Sequence, residues 1–201
     1  VVSTFAGSGT SGFTNGTGPA AKFGSPTGII SDGTNLYVTD TNNHKIRKIV
    51  ISTGVVTNLA GSGTAGSADG TGISASFNKP RGMTIVGGNL YVVDASNHKI
   101  RKIVISTGVV TTLSGSGSEG STDNSGTSAS FNSPYGITSL GSNLYVSDRN
   151  NHKIRKIALR GTETADLSLH NLDDDKEVVV AVSSSDTGEG TVSPATLTFT
   201  E

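Results

Sequence analysis

The chain has 201 residues, a formal net charge of −1 and no cysteine. So small a net charge gives no global field to draw it onto nucleic acid or an anionic membrane, and no apolar run reaches membrane-spanning length. Without cysteine, disulfides, thiolate metal sites and cysteine nucleophiles are excluded.

In chain order, VVSTFA (1–6) is β-branched and reads as a strand with no partner nearby. It starts in mid-pattern, so a segment upstream is expected. A Gly-rich stretch (7–22) follows and reads as loop. The next unit is clearest over 55–108. VVTNLA (55–60) is a strand, and GSGTAGSADGTGISAS (61–76) is loop. Phe77 and Pro80 lead into RGMTIV (81–86), and Gly87-Gly88 is a two-residue turn. NLYVVD (89–94) and HKIRKIVI (98–105) are strands, and Thr107-Gly108 turns the chain into VVTTLS (109–114). No helical period appears.

HKIRKIVISTGVVT stands at 44–57 and again, letter for letter, at 98–111, and HKIRKI returns at 152–157. The offset is 54 residues each time. Pro26, Pro80 and Pro134 keep that register, as do Asp40, Asp94 and Asp148. Fixed-period self-similarity marks an array whose units pack on their neighbours. Ile100 and Ile103 have opposite parity, so one strand loads both faces of its sheet. Both faces must then be covered, as in sheets stacked around an axis. The expected fold is all-β: β-propeller blades of four antiparallel strands, three per chain over residues 1–160. A short β-rich tail is expected over 161–201. Leu36, Leu90 and Leu144 are expected to be buried equivalents, as are Ile46, Ile100 and Ile154.

The segments SPTGIISDGTNLYVTDTNNHKIRKI (25–49), KPRGMTIVGGNLYVVDASNHKIRKI (79–103) and SPYGITSLGSNLYVSDRNNHKIRKI (133–157) resemble NHL repeats. The preceding AGSGTAG element (60–66) is similar to the bacterial, extracellular type. The resemblance implies propeller blades that usually close as rings of about six and mostly bind proteins, RNA or other ligands, with a minority acting as enzymes. EVVVAVSSSDTGEGTVSPATLTFTE (177–201) resembles part of an Ig-like or Calx-β-like sandwich repeat of bacterial surface proteins.

Several residues have two readings. GxGxxG occurs at 7–12, 61–66 and 115–120, but no helix follows to bring its N-terminus to a phosphate, so flexible loop outweighs nucleotide site. His44, His98 and His152 could converge as metal ligands. The competing role is structural, a hydrogen bond from turn to neighbouring strand with the Asp four residues earlier as the expected partner. Asp40, Asp94 and Asp148 could ring an axial cation or cap the following turn, and their recurrence in every blade favours capping. Asp173, Asp174 and Asp175 lack the spacing of a calcium loop. Lys45, Arg47, Lys48, Lys99, Arg101, Lys102, Lys153, Arg155 and Lys156 would form a positive ring, the expected binding surface. With few aromatics to stack bases, that ring is a poor fit to nucleic acid.

The expected function is a non-enzymatic binding or scaffold module for a protein or glycan, without cofactor, secreted or at a bacterial cell surface. The rivals are a metal-dependent lyase or lactonase-like propeller and an RNA-binding propeller. Three blades make half of a six-bladed ring, so a homodimer is expected, with residues 1–6 of one chain supplying the fourth strand of blade three in the other. TADLSL (164–169) in that position, or further blades on a longer chain, are the alternatives.

Overall fold

The computed structural model describes residues 1–159, so the tail expected over 161–201 lies outside the described residues. Among the described residues thirteen strands form three antiparallel sheets. Blade one comprises β1 (Gly16–Thr17), β2 (Pro26–Ser31), β3 (Asn35–Asp40), β4 (Lys45–Val50) and β5 (Val55–Ala60), paired in the order β1-β5-β4-β3-β2. Blade two repeats this with β6 (Gly70–Thr71), β7 (Pro80–Val86), β8 (Asn89–Asp94), β9 (Lys99–Val104) and β10 (Val109–Ser114), in the order β6-β10-β9-β8-β7. Blade three has β11 (Pro134–Leu140), β12 (Asn143–Asp148) and β13 (Lys153–Ala158).

The registers repeat at the sequence offset. Val38 pairs with Arg47, Val92 with Arg101 and Val146 with Arg155. The fourth strand of each complete blade is the VVT segment: Val56 faces Ile49 and Val110 faces Ile103. Blade three shows no fourth strand among the described residues, and residues 1–6 form no strand.

The Gly-rich stretches are more ordered than plain loop. Two of them carry a two-residue strand, β1 or β6, laid against β5 or β10, and then a single 3-10 turn. The third keeps its turn, Gly126–Ser128, without the strand; among the described residues blade three has no outer strand for it to pair with. Several backbone donors of GSGTAG (61–66) are consumed within this fold: Gly61 donates to Gly72 O, Ser62 to Ala75 O, Thr64 to Ser62 Oγ and Gly66 to Phe77 O. Those amides are thereby taken from any phosphate.

Apolar side chains from both faces form the seams between blades. Ile103 packs in a cluster with Leu90, Val92, Phe77 and Met83 of its own blade and with Tyr37, Ile46 and Ala60 of blade one. Ile100, on the other face, packs with Val93, Ala95, Phe131 and Val146 at the seam with blade three. The opposite parity read from the sequence is therefore real, and both faces of blade two are covered.

The expected triplets do not stay together in burial. Leu90 and Leu144 are buried, but Leu36 is half-buried; Ile46 and Ile100 are buried, but Ile154 is 73% exposed. The strand register still equates them, so the alignment stands and the burial expectation is corrected. The cause is position: Leu36 lies on the front face of blade one and Ile154 on the back face of blade three, and no described blade covers either.

Candidate functional site

Each blade is closed by one clamp, built from an Asp at the end of its second strand, an Asn three residues on and an Arg seven residues on. In blade two the Asp94 carboxylate accepts from Asn78 N (2.7 Å), Asn97 Nδ2 (2.8 Å) and Arg101 Nη1 (2.8 Å). Arg101 then donates to Ser76 O (3.0 Å), Ala68 O (2.9 Å) and Asp69 Oδ1 (2.6 Å). Its guanidinium lies 5.2 Å from the Phe77 ring centre. Arg47 and Arg155 repeat the arrangement with Asp40 and Asp148, at 2.8 and 2.9 Å, and lie over Phe23 and Phe131. The planar fork of Arg suits this multidentate role, which a Lys could not fill. Burial pushes the Asp94 carboxyl up, against the pull of its donors from Asn78, Asn97 and Arg101. Asp69 is held below the ordinary carboxylate range: although burial opposes this, Thr112 N and Arg101 donate to it.

The clamp corrects the expected positive ring. Arg47, Arg101 and Arg155 are buried and paired, so they present no surface. The reason is strand parity: Arg47 shares a face with Ile49, and that face is roofed by the Gly-rich loop. Lys45 is also buried, with its Nζ on Gly61 O at 3.1 Å, and burial lowers its pKa. Lys48, Lys99 and Lys102 are half-buried, and Lys153 and Lys156 are exposed.

Asp40, Asp94 and Asp148 serve the clamp, neither lining an axis nor capping the following turn, the role their recurrence favoured: each makes no cap bond to its 3-10 turn and accepts instead from the backbone of Gly24, Asn78 or Asn132. The histidines do not pair with them, as had been expected. His44 Nδ1 accepts from Lys79 N (3.1 Å) and His98 Nδ1 from Ser133 N (3.0 Å), each on the next blade. His44, His98 and His152 all have φ 54°, in the left-handed region, at the end of a 3-10 turn. Among the described residues no three His, Asp or Glu lie together as metal ligands do.

A different location stands out once the repeats are superposed. The x of each Pro-x-Gly is Thr27, Arg81 or Tyr135, and the residue after each clamp Asp is Thr41, Ala95 or Arg149. Amid near-identical repeats these positions differ in every blade. The register slips between Pro26 and Ile29, Pro80 and Met83, and Pro134 and Ile137, so x sits in a bulge. Bulges re-aim side chains at functional rims. The glycine is required by crowding: a Cβ on Gly82 would come within 2.7 Å of Tyr135 O, and one on Gly28 would collide with Arg81 O.

In blade one the divergent positions close on each other: Thr27 Oγ1 meets Thr41 Oγ1 (2.7 Å) and Thr39 Oγ1 (3.1 Å). In blades two and three they open. The Arg81 guanidinium lies 4.6 Å from the Tyr135 ring centre and that of Arg149 5.7 Å from it. Tyr135 is 41% exposed and lines a shallow depression of about 410 Å³ with Ser147 and Arg149. Two guanidiniums beside one exposed ring, with no carboxylate among its lining residues, form an anion-attracting surface. Sequence reasoning passed over this cluster, although the divergence between repeats was visible there.

The sheets and their stacking define β-propeller blades, and solved propellers are structural neighbours of the chain. Residues 77–103, in blade two, match the NHL repeat family model. Over 173 residues the chain is 35% identical to NHL repeat-containing protein 2 of Homo sapiens, an alignment covering 77% of this chain and 24% of that protein. It is 33% identical over 182 residues to the chloroplastic protein SUPPRESSOR OF QUENCHING 1 of Arabidopsis thaliana, covering 83% of this chain and 17% of that one. The chain thus spans about a quarter or less of these curated relatives. Among solved structures, an auxiliary nutrient binding protein from Bacteroides ovatus superposes with a TM-score of 0.59 at 27% identity, covering 65% of this chain and 36% of that one. A protein of unknown function from Bacteroides thetaiotaomicron gives a TM-score of 0.58 at 32% identity, covering 62% and 32%.

Proposed function

We propose that this chain is a non-enzymatic binding module that takes a carboxylate-bearing ligand at Arg81, Tyr135 and Arg149. The observation that carries it is that cluster: divergent residues gathered at one rim of otherwise repeated blades, with two cations flanking an exposed ring. A guanidinium fork recognises a carboxylate, and an aromatic face accepts the C–H surface of a sugar or a peptide side chain. The Bacteroides ovatus neighbour, described as nutrient binding, supports a binding role. A cell-surface setting is supported by the resemblance of 177–201 to bacterial surface repeats.

The test is calorimetric titration with oligogalacturonate, an acidic peptide and a neutral glucan of matched length. Binding of either acidic probe that weakens at least tenfold in Arg81→Ala and in Tyr135→Ala supports the reading, and the stronger probe assigns the source of the carboxylate. Binding that ignores both substitutions, equal binding of the neutral glucan, or no binding of any probe at millimolar concentration refutes it.

A further inference from the structure

One position of the clamp changes its chemistry between otherwise repeated blades. The Gly-rich loop of blade one reads Asn15-Gly16-Thr17-Gly18, and that of blade two reads Asp69-Gly70-Thr71-Gly72. Blade three has Asp123 at the same place. In each blade this side chain takes one arm of the clamp guanidinium. Arg47 Nη2 donates to Asn15 Oδ1 at 2.8 Å, Arg101 Nη2 to Asp69 Oδ1 at 2.6 Å and Arg155 Nη2 to Asp123 Oδ1 at 2.7 Å. Two clamps therefore end on a carboxylate and one on an amide. The backbone around that residue is the same in blades one and two. Gly16 and Gly70 have φ of 158° and 154°, and they pair with Val56 and Val110. A carboxylate at position 15 has a seat already shaped for it.

Asn15-Gly16 is also the sole Asn-Gly step in the 201-residue sequence. Glycine matters here because it carries no Cβ to shield its own amide nitrogen. Three features of the fold act on the Asn15 amide. The residue is exposed, so water reaches it. The buried Arg47 guanidinium holds Oδ1, which draws electrons from Cγ and steadies negative charge that develops on the oxygen. The strand that carries Gly16, β1, is two residues long, so local fraying frees the Gly16 amide without unfolding the blade. A preceding blade does not cover this position. The Asp69 side chain is 49% exposed and that of Asp123 87%, each with the blade before it in place.

We infer that Asn15 is a self-modification site: it deamidates in the folded chain and converts the blade-one clamp to the carboxylate form that blades two and three already hold. The Gly16 nitrogen attacks Asn15 Cγ, the Cγ–Nδ2 bond breaks, and ammonia leaves with the proton given up by Gly16. A five-membered cyclic imide remains. Water then adds at Cγ, the bond from Cγ to the Gly16 nitrogen breaks, and that nitrogen recovers a proton. The side chain is left as a carboxylate facing Arg47. Water is the one co-reactant, and nothing is oxidised or reduced. Addition of water at the main-chain carbonyl of residue 15 would instead give isoaspartate, with one more carbon in the main chain. The fold works against that product. Thr14 O accepts from Lys22 N and Arg47 Nη2, and Gly16 is paired with Val56, so residue 15 is anchored on both sides.

The test is mass spectrometry of the full chain, kept folded at pH 8 and 37 °C beside a sample held in urea. Trypsin cuts after Lys22, and the peptide 1–22 holds Asn15 as its single asparagine. In the folded chain this peptide is expected to gain the mass of one amide-to-acid exchange at least tenfold faster than any peptide carrying the other asparagines. Its aspartate share, measured against synthetic standards, is expected to exceed that in urea. Asn15→Gln is expected to show no gain in peptide 1–22, and Asn15→Asp to melt no lower than the wild type. A folded chain that keeps Asn15 intact, or loses it no faster than its other asparagines, while the urea sample converts, overturns the inference, because the fold then shields the amide. So does an isoaspartate share in the folded chain equal to or above that in urea, a mass gain in Asn15→Gln, or an Asn15→Asp melt below that of the wild type.

Discussion

Replacing Arg101 tests whether the clamp holds the blade together. The side chain is fully buried and bonds to Asp94, Asp69, Ser76 O and Ala68 O while lying over Phe77. Arg101→Ala leaves the Asp94 carboxylate buried beside two carbonyls that have lost a donor. Removing one partner of a buried pair costs about 3–5 kcal/mol, and this is the loss expected. Arg101→Lys is the sharper experiment. An ammonium can reach Asp94 but cannot also span Ser76 O, Ala68 O and Asp69, so a loss above about 2 kcal/mol is expected from the acceptors left unmet. Asp69→Ala should cost about 0–1 kcal/mol, because the Asp69 side chain is 49% exposed and its pair with Arg101 is screened by water. Urea unfolding followed by circular dichroism measures all three, with the slope checked for constancy. Limited proteolysis within 61–76 should speed up in Arg101→Ala, since the loop loses its tether. If Arg101→Lys falls within about 0.5 kcal/mol of wild type, charge alone suffices and the argument from fork geometry fails.

Leu90→Ala opens a cavity in the first seam and should cost about 2–5 kcal/mol in the same assay, whereas Leu140→Ala, 72% exposed, should change stability by less than about 0.5 kcal/mol. Gly82→Ala should destabilise by about 1–3 kcal/mol, because its Cβ meets the backbone of blade three. Gly136→Ala should be milder, as its Cβ finds only Ser147 Oγ, at 3.2 Å. Burial, then the hydrogen bond to Asp32, pushes the Tyr37 hydroxyl up to about 12. Its contribution to stability is therefore full below pH 10 and lost as pH rises from 10 towards 12. Burial also raises the Tyr91 hydroxyl, so ultraviolet titration should show a late phenolate step that shrinks by one tyrosine in Tyr37→Phe; an unchanged late step in that variant would contradict the burial argument.

The strands and their pairing were legible because period and parity are local properties, and a 54-residue repeat samples them three times. NLYVVD and VVTTLS match β8 and β10 residue for residue. Burial of charge was not legible in the same way. Arg47 reads as a wet cation until the loop folds over it, although an Asp seven residues before each Arg was a usable sign. The histidine bonds also escaped sequence reading, because Lys79 and Ser133 are 35 residues from their acceptors and on another blade. Ile154 and Leu36 departed from expectation since a residue's burial depends on a neighbour that the repeat itself does not encode. The rim at Tyr135 was hidden for the opposite reason: attention to what the repeats share passed over where they differ.

Because every clamp lies within one repeat and every seam joins the same two surfaces, a 54-residue unit carries its own fastening and its own two couplings. Duplicating the coding segment in frame would add a blade that already fits its neighbours, and deleting one would leave a seam between the blades on either side. The identical HKIRKIVISTGVVT in blades one and two is what copying of that kind leaves behind. Blade number is then the trait most open to change by recombination. Ligand choice evolves on a separate track, by point substitution at the few rim positions that neither clamp nor coupling constrains.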